Sequence, residues 1–162
     1  VHFEEKFLKQ LEAVNVKPKV FLGIQMYKKG MYNDVIKIAL EKRIQIANVI
    51  NKFRTTPLPK DWYPIDVICK KCGKISTVKI ISYNSKTAEV EYFCNPEVIL
   101  LHRKNPVAGC GNKSKVSVLN GNAKLTWRVE WAARWIFWGQ HANLSVKNMR
   151  RPVAVGKQQK KL

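Results

Sequence analysis

Four cysteines are the first residues in this chain that could do chemistry together. Cys69 and Cys72 stand two residues apart in Cys69-Lys70-Lys71-Cys72-Gly73, and Cys94 and Cys110-Gly111 follow. A Cys-x-x-Cys knuckle lets two thiolates face one ion while nearby backbone amides offset their charge. The second pair is separated by 15 residues, where a compact ribbon would have roughly two to four. That longer connection contains His102, which is an alternative fourth ligand. Cys110 is favoured because Cys110-Gly111 repeats the form of the first knuckle. Tetrahedral zinc with four protein ligands keeps no open position, so the expected metal, Zn(2+), is structural and not catalytic. The competing reading is four unrelated buried cysteines.

A second group is aromatic. Trp127, Trp131 and Trp135 recur at i, i+4 and i+8, which on a helix gives one stripe with Trp138 beside it. Arg128, Glu130 and Arg134 lie off that stripe, where charge can meet solvent or a ligand. A core helix anchored by tryptophans would show the same spacing.

Both groups need elements to position them. Residues 2–14 read as an amphipathic helix, and Lys17 to Leu22 as a short buried strand opening after Pro18. Asn33-Asp34 can cap a helix carrying Val35, Ile36, Ile38, Ala39, Leu40, Ile44, Ala47, Ile50 and Phe53, which the prolines at 57 and 59 stop. From Val67 the period shortens. Thr77–Tyr83 and Ala88–Phe93 flank a turn at 84–87, which predicts a hairpin. Lys115–Leu119 reads as a third strand, turned at Asn120-Gly121 into Ala123–Thr126. Asn95–Gly109 reads as a loop that lengthens the second knuckle. Residues 140–162 show no sustained period and are expected to be disordered.

Charge narrows the partners. The 162 residues hold 30 Lys and Arg against 11 Asp and Glu, a formal charge of +19. Such a chain is drawn to polyanions, nucleic acid foremost, through phosphate contacts that position without reading sequence. A lysine-solvated surface is the plainer explanation. No apolar run approaches the roughly 18 residues of a membrane span, and no secretory leader is visible. The expectation is a cytoplasmic protein with no membrane partner, whose cysteines serve metal and not disulfides.

The wording of four segments adds to this. Trp127-Arg128-Val129-Glu130-Trp131 resembles the Trp-Arg-Val-acid-Trp motif with which class I lysyl-tRNA synthetases re-enter their catalytic domain. Tyr27-Lys28-Lys29-Gly30-Met31-Tyr32 is similar to the family's Tyr-Lys-x-Gly-x-Tyr turn. Leu58-Pro59-Lys60-Asp61-Trp62-Tyr63-Pro64 is similar to the Leu-Pro-x-x-Trp-x-Pro lead into its metal-binding insertion, and Cys69–Gly73 to its first knuckle. The likeness covers roughly residues 1 to 139, in order.

The resemblance implies an α/β fold: part of a class I nucleotide-binding fold, interrupted by a small β-rich, zinc-ribbon-like unit. Residues 1–57 would be the first catalytic part, 58–120 the insertion, 121–139 the return with the lysine pocket, and 140–162 a basic tail. It implies ATP-dependent attachment of lysine to tRNA(Lys) in a parent enzyme several times longer. Trp127 would wall the lysine site, offering apolar contact to the stem and cation–π attraction to the ammonium. Glu130 would be its carboxylate partner, where the family often has Asp. Arg128 and Arg134 would contact tRNA or substrate phosphate. Ala132 stands where the family commonly has proline. The family grips ATP with a His-x-Gly-Asn/His motif and a late Lys-rich loop. Neither occurs here, so no catalytic residue is assigned and the chain alone is expected to be inactive.

After Gly139 the family continues Glu-Pro-Phe-Gly-Lys-Asp-His. Codons permitted for Ala142 to Ala154, read from each third base, can spell Glu-Pro-Phe-Gly-Lys-Glu-His-Ala-Ala-Thr-Gly-Gly-Ser. A frameshift is therefore the expected origin of the tail. The alternative function is a free-standing basic zinc-ribbon module that binds RNA.

Overall fold

The computed structural model describes residues 2–101 and 105–138. Helix α1 spans His2–Ala13, close to the predicted range. The expected strand at Lys17–Leu22 does not form. Val20, Phe21 and Leu22 are exposed, and among the described residues no strand pairs with them. Leu22 instead precedes α2, Gly23–Lys28. Backbone preference alone does not make a strand without a partner.

The Tyr-Lys-Lys-Gly-Met-Tyr segment is a helix stop. The Gly30 amide bonds to the Tyr27 carbonyl at 3.0 Å and the Met31 amide to Met26 at 3.1 Å. This paired closure is the Schellman pattern, and it needs Gly30 at its φ of +74°. The turn brings Tyr27 and Tyr32 face to face, with centroids 4.2 Å apart.

The long helix expected from Asn33 is two helices, α3 (Asn33–Glu41) and α4 (Arg43–Asn51). They part at Lys42, whose φ and ψ are −95° and 17°. The expected Asn33-Asp34 cap is also absent, since the cap position is Tyr32 and carries no side-chain cap bond. Asn33 works across the fold: its Nδ2 donates to Asn120 Oδ1 (2.9 Å), and the Asn120 amide donates to Asn33 Oδ1 (3.0 Å).

The described strands form three antiparallel sheets. β1 (Ile65–Val67) pairs with β7 (Ala123–Leu125). β2 (Val78–Asn84), β3 (Glu89–Cys94) and β6 (Lys113–Ser117) form a sheet in the order β2-β3-β6. The expected loop at Asn95–Gly109 contains a further ladder, β4 (Ile99–Leu101) against β5 (Asn105–Val107). The predicted hairpin is β2-β3. The Asn120-Gly121 turn also forms, with φ of 54° and 88° and the Asn122 amide on the Leu119 carbonyl at 3.2 Å. Yet it does not fold β7 back onto β6; β7 crosses to β1, where Ile65, Val67, Ala123 and Leu125 are all buried. Each fully buried aliphatic side chain there stabilises by about 1.5–3 kcal/mol, which selects this pairing over an exposed hairpin.

Helix α5 (Trp127–Phe137) follows directly. Its start is fixed by the Thr126 amide on the Pro64 carbonyl at 2.9 Å. The Leu125 amide donates to the Tyr27 hydroxyl (3.1 Å), and Phe137 meets Tyr32 edge-on at 5.0 Å. One buried cluster therefore joins α2, α3, the β1–β7 pair, the three-stranded sheet and α5.

Candidate metal centre and re-entry helix

Each cysteine sits at the end of a strand or in a tight turn beside one. Cys69 and Cys72 bracket the turn after β1, Cys94 ends β3, and Cys110 precedes β6. Their four sulfurs all lie within 4.8 Å of one another, a set that could hold a metal ion. Cys69 Sγ is 3.7 Å from Cys110 Sγ, and Cys72 Sγ is 3.6 Å from Cys94 Sγ. Cys110 thus joins the cluster; His102 lies outside the described residues.

Two matching backbone knuckles hold them. In the first, the Cys69 amide bonds to the Lys74 carbonyl and the Gly73 amide to the Cys69 carbonyl, each at 2.9 Å. In the second, the Cys94 amide bonds to Asn112 and the Gly111 amide to Cys94, again at 2.9 Å. Gly73 and Gly111 both take left-handed φ, +69° and +72°. The 15-residue separation does not distort the second knuckle, because the excursion closes at its own base. There the Gly109 amide reaches the Asn95 carbonyl at 2.7 Å, and the Asn95 amide the Thr77 carbonyl at 2.8 Å. A side chain at Gly109 would overlap the Asn95 carbonyl oxygen and come within 2.7 Å of Cys94 Sγ.

Polar groups around the sulfurs tune them. Thr77 Oγ1 is 3.3 Å from Cys94 Sγ, and the Cys110 amide donates to the same sulfur at 3.4 Å. Tyr92 Oη and Asn112 Nδ2 approach Cys69 Sγ at 3.9 and 4.0 Å. Burial raises the Cys69 pKa, but the amides of Cys72 and Lys71 and the thiols of Cys72 and Cys110 outweigh it, bringing the value to about 6. Cys94 is lowered as well, with the Thr77 hydroxyl and Cys110 amide overcoming burial. Cys72 moves the other way: the Lys74 amide pulls it down, but burial and three neighbouring sulfurs raise it to about 11. Charge on one sulfur resists charge on the next, and a bound cation would remove that resistance.

On α5 the tryptophan stripe is not the core face. The helix buries Glu130 and Ala133 and packs Val129 and Phe137 against the core, whereas Trp127 is 65% and Trp131 43% exposed. Successive indoles meet edge-on, at 6.0 Å for Trp127–Trp131 and 6.4 Å for Trp131–Trp135. Arg128 borders a groove of about 430 Å³ between α3–α4 and α5, lined by Ile38, Ile46, Val49 and Ala132. Glu130 faces inward. Its Oε1 accepts from Arg134 Nη2 (2.6 Å) and Nε (3.1 Å), and its Oε2 lies 3.8 Å from Lys124 Nζ. Burial acts to lower the Arg134 pKa, but the Glu130 carboxylate raises it further. The guanidinium also lies 5.7 Å from the Trp138 ring. Of the four sequence-selected side chains on α5, Trp127 and Arg128 point outward, while Glu130 and Arg134 bind each other.

Sequence reasoning missed Gly109, Thr77, Tyr92 and Asn112 around the sulfurs, and the Asn33–Asn120 pair that ties the α2–α3 turn to the return. Only Gly109, one residue before Cys110, carried a local signal. Arg43 was also unforeseen: it donates to the Lys60 and Trp62 carbonyls (3.3 and 3.2 Å) and covers the Tyr63 ring at 4.7 Å. It thereby fixes the Leu58–Pro64 segment.

Comparison with known proteins finds relatives over most of the chain. A family model described as tRNA synthetases class I (K) matches residues 1–149, beyond the Gly139 at which the motif likeness ends. The lysine–tRNA ligase of Methanocaldococcus jannaschii is 41% identical over 134 residues, covering 83% of this chain and 23% of that protein. That of Methanococcus maripaludis is 40% identical over 138 residues, 85% of this chain and 23% of its own length. That of Picrophilus torridus is 33% identical over 134 residues, again 83% and 23%. This chain therefore spans about 23% of the length of these relatives, and it belongs to the class I lysyl-tRNA synthetase family.

Proposed function

We propose that this chain supplies the metal-bearing insertion and the returning lysine-pocket segment of a lysine–tRNA ligase, and lacks the parts that grip ATP. The observation that carries this reading is the open Trp127 indole at the first turn of α5, on a helix fixed from below by β1–β7 and Tyr27. An aromatic face left bare on an anchored helix suits a lysine side chain, whose stem takes apolar contact and whose ammonium is drawn to the ring by up to about 2 kcal/mol when dry. Glu130 pairs with Arg134 on the same helix and lies 3.8 Å from Lys124 of β7, and Arg128 is the outward cation for phosphate. The parent enzyme would use lysine, ATP and tRNA(Lys).

The four cysteines fit zinc. Sulfurs about 2.3 Å from one zinc at tetrahedral angles stand about 3.8 Å apart, against the 3.7 and 3.6 Å seen for two pairs. Cys69, Cys72, Cys94 and Cys110 would hold it, and with no position free it would supply structural cross-linking. The cross-link holds β1, β3 and β6 together in a small zinc-ribbon-like unit. Among the described residues no helix is long and apolar enough to cross a membrane. The shifted-frame origin of residues 142–154 remains a proposal about the gene, and its nucleotide sequence tests it.

The test of function is a chimera in which residues 1–139 replace the matching segment of the M. jannaschii enzyme. Lysine–tRNA formation should persist, and Trp127→Ala should raise the KM for lysine about tenfold or more. The 162-residue chain alone should give no lysine-dependent ATP–pyrophosphate exchange. An active chimera with an unchanged lysine KM, or exchange by the chain alone, overturns the reading.

A further inference from the structure

The outer face of the β2-β3-β6 sheet is not used by the metal site or by α5. Its inner face carries Val90, Tyr92, Cys94 and Val116 into the core. The alternate residues turn outward, and register sets Lys79, Phe93 and Lys113 in one cross-strand row. Facing residues in such a row stand about 4.5–5.5 Å apart at Cβ, so one partly buried phenyl ring has a lysine on each side. Among the described residues neither ammonium lies over that ring. Beside the row, a bulge between Ile80 and Ser82 turns Ile81 outward, 47% exposed. Bulges commonly re-aim a side chain in this way. Lys115 completes the face, and its cross-strand neighbour is Glu91. Glu91 is already engaged by Lys113 at 3.2 Å and by Ser82 at 3.5 Å, and Glu89 lies at the end away from Cys94. Lys79 and Lys115 carry no ion pair among the described residues.

We infer that this sheet face binds an unpaired RNA strand, with a base on Phe93 and Ile81 and phosphates at Lys79, Lys113 and Lys115. An aromatic ring flanked by cations, with an exposed aliphatic side chain beside it, suits a stacked base and its backbone, and base–aromatic stacking tolerates any sequence. A duplex hides its base faces and can use only the lysines. The charge of +19 on the chain favours a polyanion over a protein partner. The inference deepens the tRNA reading above, since a tRNA offers unpaired strands, but it rests on that reading only for the choice of RNA.

The test uses the zinc-loaded 162-residue chain, an unstructured RNA of about ten nucleotides, a blunt RNA hairpin of equal charge, and a lysine tRNA transcript. The chain should prefer the open strand. Phe93→Leu should weaken the open strand about fivefold or more while leaving the hairpin unchanged, and Phe93→Trp should restore it. Lys79→Gln with Lys115→Gln should weaken both RNAs and shallow the salt dependence. These exposed lysines keep the test decisive if Phe93→Leu loses zinc or folding. Equal loss of both RNAs on Phe93→Leu in a folded, zinc-loaded variant overturns the inference, as does an unchanged affinity in the double lysine variant. If the open strand is preferred but the lysine tRNA is bound no better than other tRNAs, the sheet face stands and a tRNA(Lys)-specific role for this chain falls.

Discussion

Replacing Gly109 with alanine should damage the metal centre far more than a change at the other knuckle. The added Cβ would overlap the Asn95 carbonyl oxygen and press to 2.7 Å from Cys94 Sγ. Overpacking of a closed site costs about 1–3 kcal/mol. Loss of the 2.7 Å bond from Gly109 to Asn95 adds about 1 kcal/mol. The sum, about 2–4 kcal/mol, lowers zinc affinity between about 30- and 700-fold if it falls on the metal-bound state. Gly73→Asn is the control. Gly73 has a φ of +69° but nothing within 4 Å of a Cβ, and asparagine tolerates that backbone region, so its cost stays below about 1 kcal/mol. Competition against a chromophoric chelator measures both affinities, and thermal melting monitored by circular dichroism checks the fold. A Gly109→Ala protein that binds zinc within about threefold of the parent chain would refute the claim that this backbone contact sets the position of Cys94.

Two further outcomes follow from the same geometry. Cys69, with its pKa lowered to about 6, contributes as a thiolate above that value and loses the contribution as pH falls through it. Cys72, raised to about 11, keeps its proton at neutral pH until a cation displaces it. Zinc uptake at pH 7 should therefore release protons, and affinity should drop steeply below about pH 6; a pH-independent affinity would contradict the thiolate assignment. Asn33→Ala removes both bonds to Asn120, about 1–2 kcal/mol. It should lower the melting temperature by roughly 2–8 °C with zinc content intact, and no change in melting would show that the pair does not brace the return.

The sequence made the local features readable and left the distant ones hidden. Cys69-Lys70-Lys71-Cys72-Gly73 carries its own geometry, since one left-handed glycine and two short backbone bonds close it within six residues. The Asn120-Gly121 turn was equally legible from its two residues. Its consequence was not, because Ala123–Leu125 pairs with Ile65–Val67, and no window of periodicity spans that distance. Lys17–Leu22 failed for the related reason that apolar residues form a strand only where another strand can accept them.

The tryptophans teach a different point. A strict i, i+4, i+8 stripe normally marks the face a helix buries, and a lone segment offers no way to tell which of two faces meets the core. Here the inward face is Val129, Glu130, Ala133 and Phe137, with Phe137 edge-on to Tyr32. The inward Glu130 is neutralised chiefly by Arg134, one turn along the same helix, with Lys124 3.8 Å from its other oxygen; removing Arg134 leaves a buried charge to be desolvated. The core contacts of Val129, Ala133 and Phe137 fix the rotation of α5, and that rotation leaves Trp127 in the open. The tryptophan stripe is therefore the outward side of α5, and the side chains between its rows are the ones the core takes.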